Sequence, residues 1–182
     1  MKMRLLAVLA LIIPVVAGCA SAAKPGAMMT PVEASTLIDA RSALYQSTSV
    51  ASVTGGKDTN PMWMSRVSNE DFAEALSQSL NAHTILAVNG ARLELAAQLI
   101  ELKQPFVGLD MTVTARVKYT LRRLADGAVL FDKEISTPYT AKVSESFVGV
   151  ERLRLANEGA VRANIRQLIE ELVEVSRTRT DM

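Results

Sequence analysis

The residues from Leu109 to Arg122 alternate strictly between apolar and polar side chains. The apolar set is Leu109, Met111, Val113, Ala115, Val117, Tyr119 and Leu121. A period of two predicts a long strand with one face on a core and the other in solvent, which is typical of antiparallel sheets. The chain must therefore build a sheet and cover its apolar face.

Neighbouring segments supply partners for this strand. Asp126-Gly127 has turn chemistry, so residues 109–139 are predicted to form a hairpin. Residues 93–102 also alternate, but the phase slips at Ile100, which predicts a bulge there in a third antiparallel strand. Residues 45–54 are predicted to form a weaker strand, rich in Ser and Thr.

Two amphipathic helices complete the predicted fold. Ser68 with Asp71 is a helix-capping pair, and residues 150–177 carry an apolar stripe at three- and four-residue spacing. Asn164 lies within that stripe, where we expect a half-buried structural amide. The order β-α-β-β-β-α predicts a two-layer α/β (α+β) sandwich, with about four mainly antiparallel strands and both helices on one face.

The composition fits one globular domain. The chain has 182 residues, of which 49% are hydrophobic and 21% charged, and its net charge is +1. These values exclude a disordered, collagenous or nucleic-acid-coating chain, and a single cysteine excludes a disulfide-stapled one.

The N-terminus has the pattern of an export signal. Lys2 and Arg4 precede an apolar run over residues 5–16, which is too short to remain as a membrane span. The sequence Val16-Ala17-Gly18-Cys19 then resembles the bacterial lipobox. We expect residues 1–18 to be a signal peptide and Cys19 to be lipidated; the alternative is an ordinary secretory signal followed by a free thiol.

Lipidation would place the protein in the cell envelope. By resemblance to the lipoprotein sorting rule, Ala20 after the cysteine implies the periplasmic face of the outer membrane. Residues 19–31 are rich in Ala, Ser, Gly and Pro, and are expected to form a flexible tether with a reach of about 40 Å. Residues 32–182 would form a single periplasmic domain.

The layout of anchor, tether, strand, helix, meander and long C-terminal helix resembles a known group of proteins. It is similar to the envelope lipoproteins grouped around the LPS-assembly lipoprotein LptE and the auxiliary lipoproteins of ABC-type transport systems. Residues 152–158 (RLRLANE) and 162–165 (RANI) also resemble a group of alphaproteobacterial lipoproteins. The resemblance implies the fold and the lipidation of Cys19. The anchor, the α/β domain and the lack of a catalytic set lead us to expect a non-enzymatic accessory or scaffold role in envelope assembly or transport, with an envelope protein as partner.

Residues suited to catalysis are few. His83 is the only histidine and follows a predicted helix end, where a surface or capping role is expected. Without a second histidine or a free cysteine there is no obvious zinc-ligand set, and residues 55–59 read as a turn and not as a phosphate loop. We therefore expect no enzyme, no metal and no cofactor beyond the lipid on Cys19.

Apolar residues in three predicted loops are candidate contacts with a partner or with lipid. Trp63 lies between two methionines, while Phe106 and Phe147 each begin a similar five-residue phrase. The topology should bring the two Phe loops to the same end of the sheet. Exposed apolar clusters mark interfaces, whereas a small core under each loop is the alternative.

A row of cations supports a second function. Arg116, Lys118 and Arg122 lie on the polar face of the central strand, where they could bind an anionic lipid or glycolipid. The alternative is that an exposed sheet face is polar in any case, and that cationic strand residues discourage aggregation.

Overall fold

Four strands form one sheet in the order β1-β2-β3-β4, in a computed structural model that describes residues 19–60 and 64–178. The strands are β1 (Thr48–Thr54), β2 (Leu93–Lys103), β3 (Met111–Arg123) and β4 (Val129–Ala141). The crossover helix α2 (Asn69–Ala82) makes β1 parallel to β2, and the other pairs are antiparallel. Together with the long helix α3 (Gly149–Thr178), this confirms the predicted two-layer fold.

The predicted alternation places the core. Val113, Val117 and Leu121 of β3 are fully buried beneath the helices, and the polar residues that alternate with the apolar set face outward. The predicted bulge is also present, because the pairing of β2 with β3 shifts between Leu99 and Glu101.

The strand ends differ from the prediction. β1 begins at Thr48 and not at residue 45, because Gln46 takes a φ of +45°, which extended backbone does not allow. The central strand begins at Met111, so Leu109 is exposed in the preceding loop instead of lying on the buried face.

Both ends of α2 are capped by side chains. The Ser68 hydroxyl accepts a hydrogen bond from the Asp71 backbone amide at 3.0 Å, as predicted. At the other end, the Nδ1 atom of His83 lies 2.7 Å from the carbonyl oxygen of Ser79. The capping role expected for His83 is confirmed, but its side chain is buried and not on the surface.

The N-terminal segment differs most from its prediction. Residues 19–31 were expected to form a flexible tether, yet they include a short helix, α1 (Pro25–Met28), which packs between α2 and α3. Ala23 and Met28 are buried, and the Ala23 amide donates to the carbonyl oxygen of Arg66 at 3.2 Å. Small side chains allow this close approach, and the backbone groups find partners on the domain.

One buried amide connects α3 to the sheet. The Nδ2 atom of Asn164 lies within 3.0–3.2 Å of the carbonyl oxygens of Ala115 and Ile135 and of the Thr137 hydroxyl. Its Oδ1 accepts from the Tyr119 hydroxyl at 2.9 Å. Asn164 is therefore structural, as expected, but fully and not half buried.

Because Tyr119 is part of this network, we expect the protein to lose stability at alkaline pH. Burial raises the pKa of the Tyr119 hydroxyl well above its usual value of 10.0. Because the folded-state pKa is raised, the stabilisation is complete below pH 10 and decreases as the pH rises. We expect the Tyr119 contribution to fall by about 1.4 kcal/mol per pH unit above pH 10.

Urea unfolding of the wild type and Tyr119→Phe at several pH values measures this contribution. The difference in unfolding free energy between the wild type and Tyr119→Phe should narrow above pH 10. A gap for Tyr119→Phe that stays constant from pH 8 to the alkaline limit would contradict the prediction.

Candidate interaction and anchoring site

Two loops at one end of the sheet expose a group of apolar side chains. The loop from β2 to β3 carries Phe106, which is 96% exposed, and the loop from β4 to α3 carries Phe147, which is 88% exposed. We call the exposed set the apolar tip: Phe106, Val107, Leu109, Phe147 and Val148. A small core under each loop, the alternative from the sequence, is not formed by these side chains.

Arg152, in the first turn of α3, joins the two loops. Its Nη1 donates to the carbonyl oxygen of Ser146 at 2.7 Å and its Nη2 to that of Gly108 at 3.4 Å. The Val143 amide also donates to the Asp110 carboxylate at 2.9 Å. The loops therefore lie together at one end, as the topology predicted, and are held by polar contacts that leave the apolar side chains exposed.

A buried ion cluster on α3 holds the N-terminal segment. The Arg154 guanidinium pairs with the carboxylates of Glu151 and Glu158. Hydrogen bonding from Arg154 lowers the pKa of the Glu151 carboxyl below its usual range. Glu158 also accepts from the Lys24 backbone amide at 2.9 Å. Each buried charge thus has a partner, which is the condition for burying it.

A second set of contacts connects α3 to the segment that follows Trp63. Gln104 donates to the Asn157 side chain at 2.7 Å and to the carbonyl oxygen of Ser65 at 2.9 Å. Asn157 donates to the same carbonyl at 3.0 Å. Trp63 itself, like residues 1–18, lies outside the described residues. The sequence run 152–158, on which a family resemblance rests, thus supplies contacts to both loops and to the N-terminal segment.

The cationic row on β3 has acidic neighbours that the sequence pattern did not predict. The Arg116 guanidinium lies 3.3 Å from Glu101 and 3.5 Å from Glu134, on the two flanking strands. The Lys118 ammonium lies 3.3 Å from Asp132. Arg122 is exposed opposite Glu94 in the strand register. These pairs follow from the register of β2 and β4 against β3, and the bulge at Ile100 sets that register for β2. The register is the signal from which the sequence could have predicted them.

A shallow cleft of about 290 Å³ lies beside the β2 bulge, next to the turn at residues 55–59. Gly55 has a φ of +84°, and a Cβ there would lie 2.0 Å from the carbonyl oxygen of Leu99. The glycine therefore serves close packing against β2, in agreement with the turn expected here. Within residues 19–60 and 64–178, no group of three or more His, Cys, Asp or Glu side chains could hold a metal ion.

Comparison with known proteins identifies the fold. No family model and no curated protein matches the chain. Protein XCC0632 from Xanthomonas campestris, assigned to family DUF330, has a TM-score of 0.62 at 11% identity, covering 89% of this chain and 100% of its own. The hypothetical protein CT253 from Chlamydia trachomatis has a TM-score of 0.52 at 9% identity, covering 72% and 98% respectively.

A minor lipoprotein from Acinetobacter baumannii also matches, with a TM-score of 0.44 at 11% identity, covering 71% of this chain and 94% of its own. At these identities, the likeness to XCC0632 and CT253, whose TM-scores exceed 0.5, shows a shared fold alone. The specific similarity to LptE remains an expectation from the sequence. No helix within residues 19–60 and 64–178 is long and apolar enough to cross a membrane.

Proposed function

We propose that this chain is a lipoprotein held at the periplasmic face of the outer membrane by lipid on Cys19, and that it serves as a non-enzymatic accessory or scaffold in envelope assembly or ABC-type lipid transport. The observation that carries the proposal is the position of Cys19. This single cysteine ends a lipobox-like sequence, is exposed, and directly precedes the packed segment that begins with Ala20. One acyl chain binds membranes only marginally, so multiple acylation would give a stable anchor.

The structural roles of the polar side chains support a non-enzymatic role. His83 caps α2 and Asn164 joins α3 to the sheet. The buried charges of Arg154 and Glu158 hold the N-terminal segment. These four side chains, of types that catalysis commonly uses, thus have structural roles. Arg116 and Lys118 on β3 already pair with acidic side chains, which lowers their availability for an anionic glycolipid. This pairing favours the accessory role over the glycolipid-binding module.

Cells carrying a tagged full-length chain can test the proposal. The wild type should incorporate labelled palmitate, sediment with outer membranes and, after cross-linking in the cell, co-purify with proteins of one envelope assembly or transport system. We expect Cys19→Ala to abolish the palmitate label, remove the protein from the outer-membrane fraction and lower partner recovery at least tenfold.

Ser21→Ala, an exposed neighbour of the cysteine, is the matched control and should behave as the wild type. The anchoring part of the proposal fails if Cys19→Ala still fractionates with outer membranes, because an uncleaved signal segment would hold it in the inner membrane only. The accessory role fails if the anchored wild type is recovered without envelope proteins.

A further inference from the structure

We propose that the apolar tip lies in the same lipid surface that holds Cys19. This inference rests on the proposed lipidation and adds an orientation: the end of the sheet that carries Phe106 and Phe147 faces the membrane. Three features of the molecule support it: the path of the N-terminal segment, the short length of chain that remains before Cys19, and the chemistry of the tip.

The N-terminal segment runs along α3 towards the tip. Towards the end of the helix, Arg177 donates to the carbonyl oxygen of Ser35, and Arg166 pairs with Glu33 nearer the middle. Still closer to the start of α3, Arg162 donates to the carbonyl oxygen of Ala27 at 2.8 Å, and Glu158 accepts from Lys24 at 2.9 Å. Each step towards Cys19 therefore approaches the first turn of α3, where Arg152 holds the two tip loops.

Only a short length of chain lies between Cys19 and the first backbone hydrogen bond to the domain. Glu158 lies nine residues after Gly149, about 14 Å along the helix axis. Only the residues between Cys19 and Ala23 precede the first anchored backbone group, and they span at most about 14 Å. A lipid on Cys19 thus keeps the tip end of the domain near the headgroups, in place of the roughly 40 Å of freedom expected of an unpacked tether.

The chemistry of the tip suits a bilayer interface. Its five side chains are aromatic or aliphatic, and apolar residues of this kind enter the boundary between headgroups and acyl chains. Lys103 ends β2 and Lys142 follows β4, so exposed cations lie where each strand meets its tip loop. Their ammonium groups can reach lipid phosphates while the apolar residues enter deeper. The Asp110 carboxylate accepts from the Val143 amide, that of Glu145 accepts from the Lys142 amide, and that of Glu151 pairs with Arg154, so all three already have local partners.

Site-specific fluorophores on the full lipidated chain test the orientation. The protein is purified from membranes and reconstituted into vesicles of phosphatidylethanolamine and phosphatidylglycerol. A thioether at Cys19 leaves any introduced cysteine as the reactive thiol, so Phe106→Cys and Phe147→Cys each accept one environment-sensitive dye. The exposed Val88 and Leu124 lie at the opposite end of the sheet, so Val88→Cys and Leu124→Cys are the matched controls.

We expect dyes at positions 106 and 147 to shift to the blue and to be quenched several-fold more by nitroxide-labelled lipids than dyes at 88 and 124. Equal quenching at both ends on vesicle-bound protein would overturn the inference while leaving the anchor intact. Shielding at 106 in native membranes but not in vesicles would assign the tip to a protein partner and also overturn it. Protein that fails to associate with vesicles would refute the proposed lipidation, and the inference with it.

Discussion

Asn164→Leu is expected to lower the free energy of unfolding by about 3–5 kcal/mol. Leucine has the same number of side-chain heavy atoms and a similar branched shape, so the packing volume is nearly kept. The hydrogen bonds of Asn164, however, are lost. The Tyr119 hydroxyl loses its acceptor, and the carbonyl oxygens of Ala115 and Ile135 lose a donor, all in the buried layer between α3 and the sheet. An unsatisfied buried polar group costs about 1–3 kcal/mol, which is why the loss exceeds that of an ordinary hydrogen bond.

Urea unfolding followed by circular dichroism measures this loss. Gln167→Leu, on the same helix and only partly buried, is the control and should change stability by about 0.5 kcal/mol or less. Tyr119→Phe removes the hydroxyl that needs the acceptor, so the double variant should be more stable than the sum of the single losses predicts. A loss below 1 kcal/mol for Asn164→Leu would show that the network contributes little.

Local patterns predicted the sheet and the helix ends. The apolar and polar residues of β3 alternate between the buried and exposed faces as predicted, because each apolar residue packs against the helical layer. The phase slip at Ile100 corresponds to the observed bulge in β2. Ser68 and Asp71 formed the predicted cap since capping depends on neighbours three residues apart. In each case the residues that decide the structure lie close together in the sequence.

The site could be predicted only in part, because its contacts join distant residues. Lys24 is 134 positions from its acceptor Glu158, and no periodicity in an Ala- and Pro-rich segment reports such a partner. The acids beside Arg116 depended on the register of two flanking strands. Phe106 and Phe147 were recognised as candidates, but loop residues become core or surface according to tertiary packing, which their local sequence does not encode.

We expect Gly159→Ala to change stability in the direction opposite to that of most glycine-to-alanine changes in helices. In a helix interior, replacing glycine with alanine ordinarily stabilises by about 0.5–1 kcal/mol, because glycine loses more backbone entropy on folding. Gly159 lies well inside α3, yet a Cβ there would be 2.2 Å from Cδ1 and 2.4 Å from Cγ of the Tyr139 ring. These atoms are close to the backbone of β4, so the ring cannot give way by rotating its far end.

We therefore expect Gly159→Ala to destabilise the protein by about 1–3 kcal/mol, the range for overpacking. The ring would have to leave α3 and its place beneath the Arg162 guanidinium, which lies 5.8 Å from the ring centroid. Combining Gly159→Ala with Tyr139→Ala separates the two effects, because the obstacle is gone and the helix preference remains. In that background alanine at 159 should stabilise by about 0.5–1 kcal/mol. Stabilisation by Gly159→Ala in the wild-type background would show that α3 does not need the glycine to approach β4 this closely.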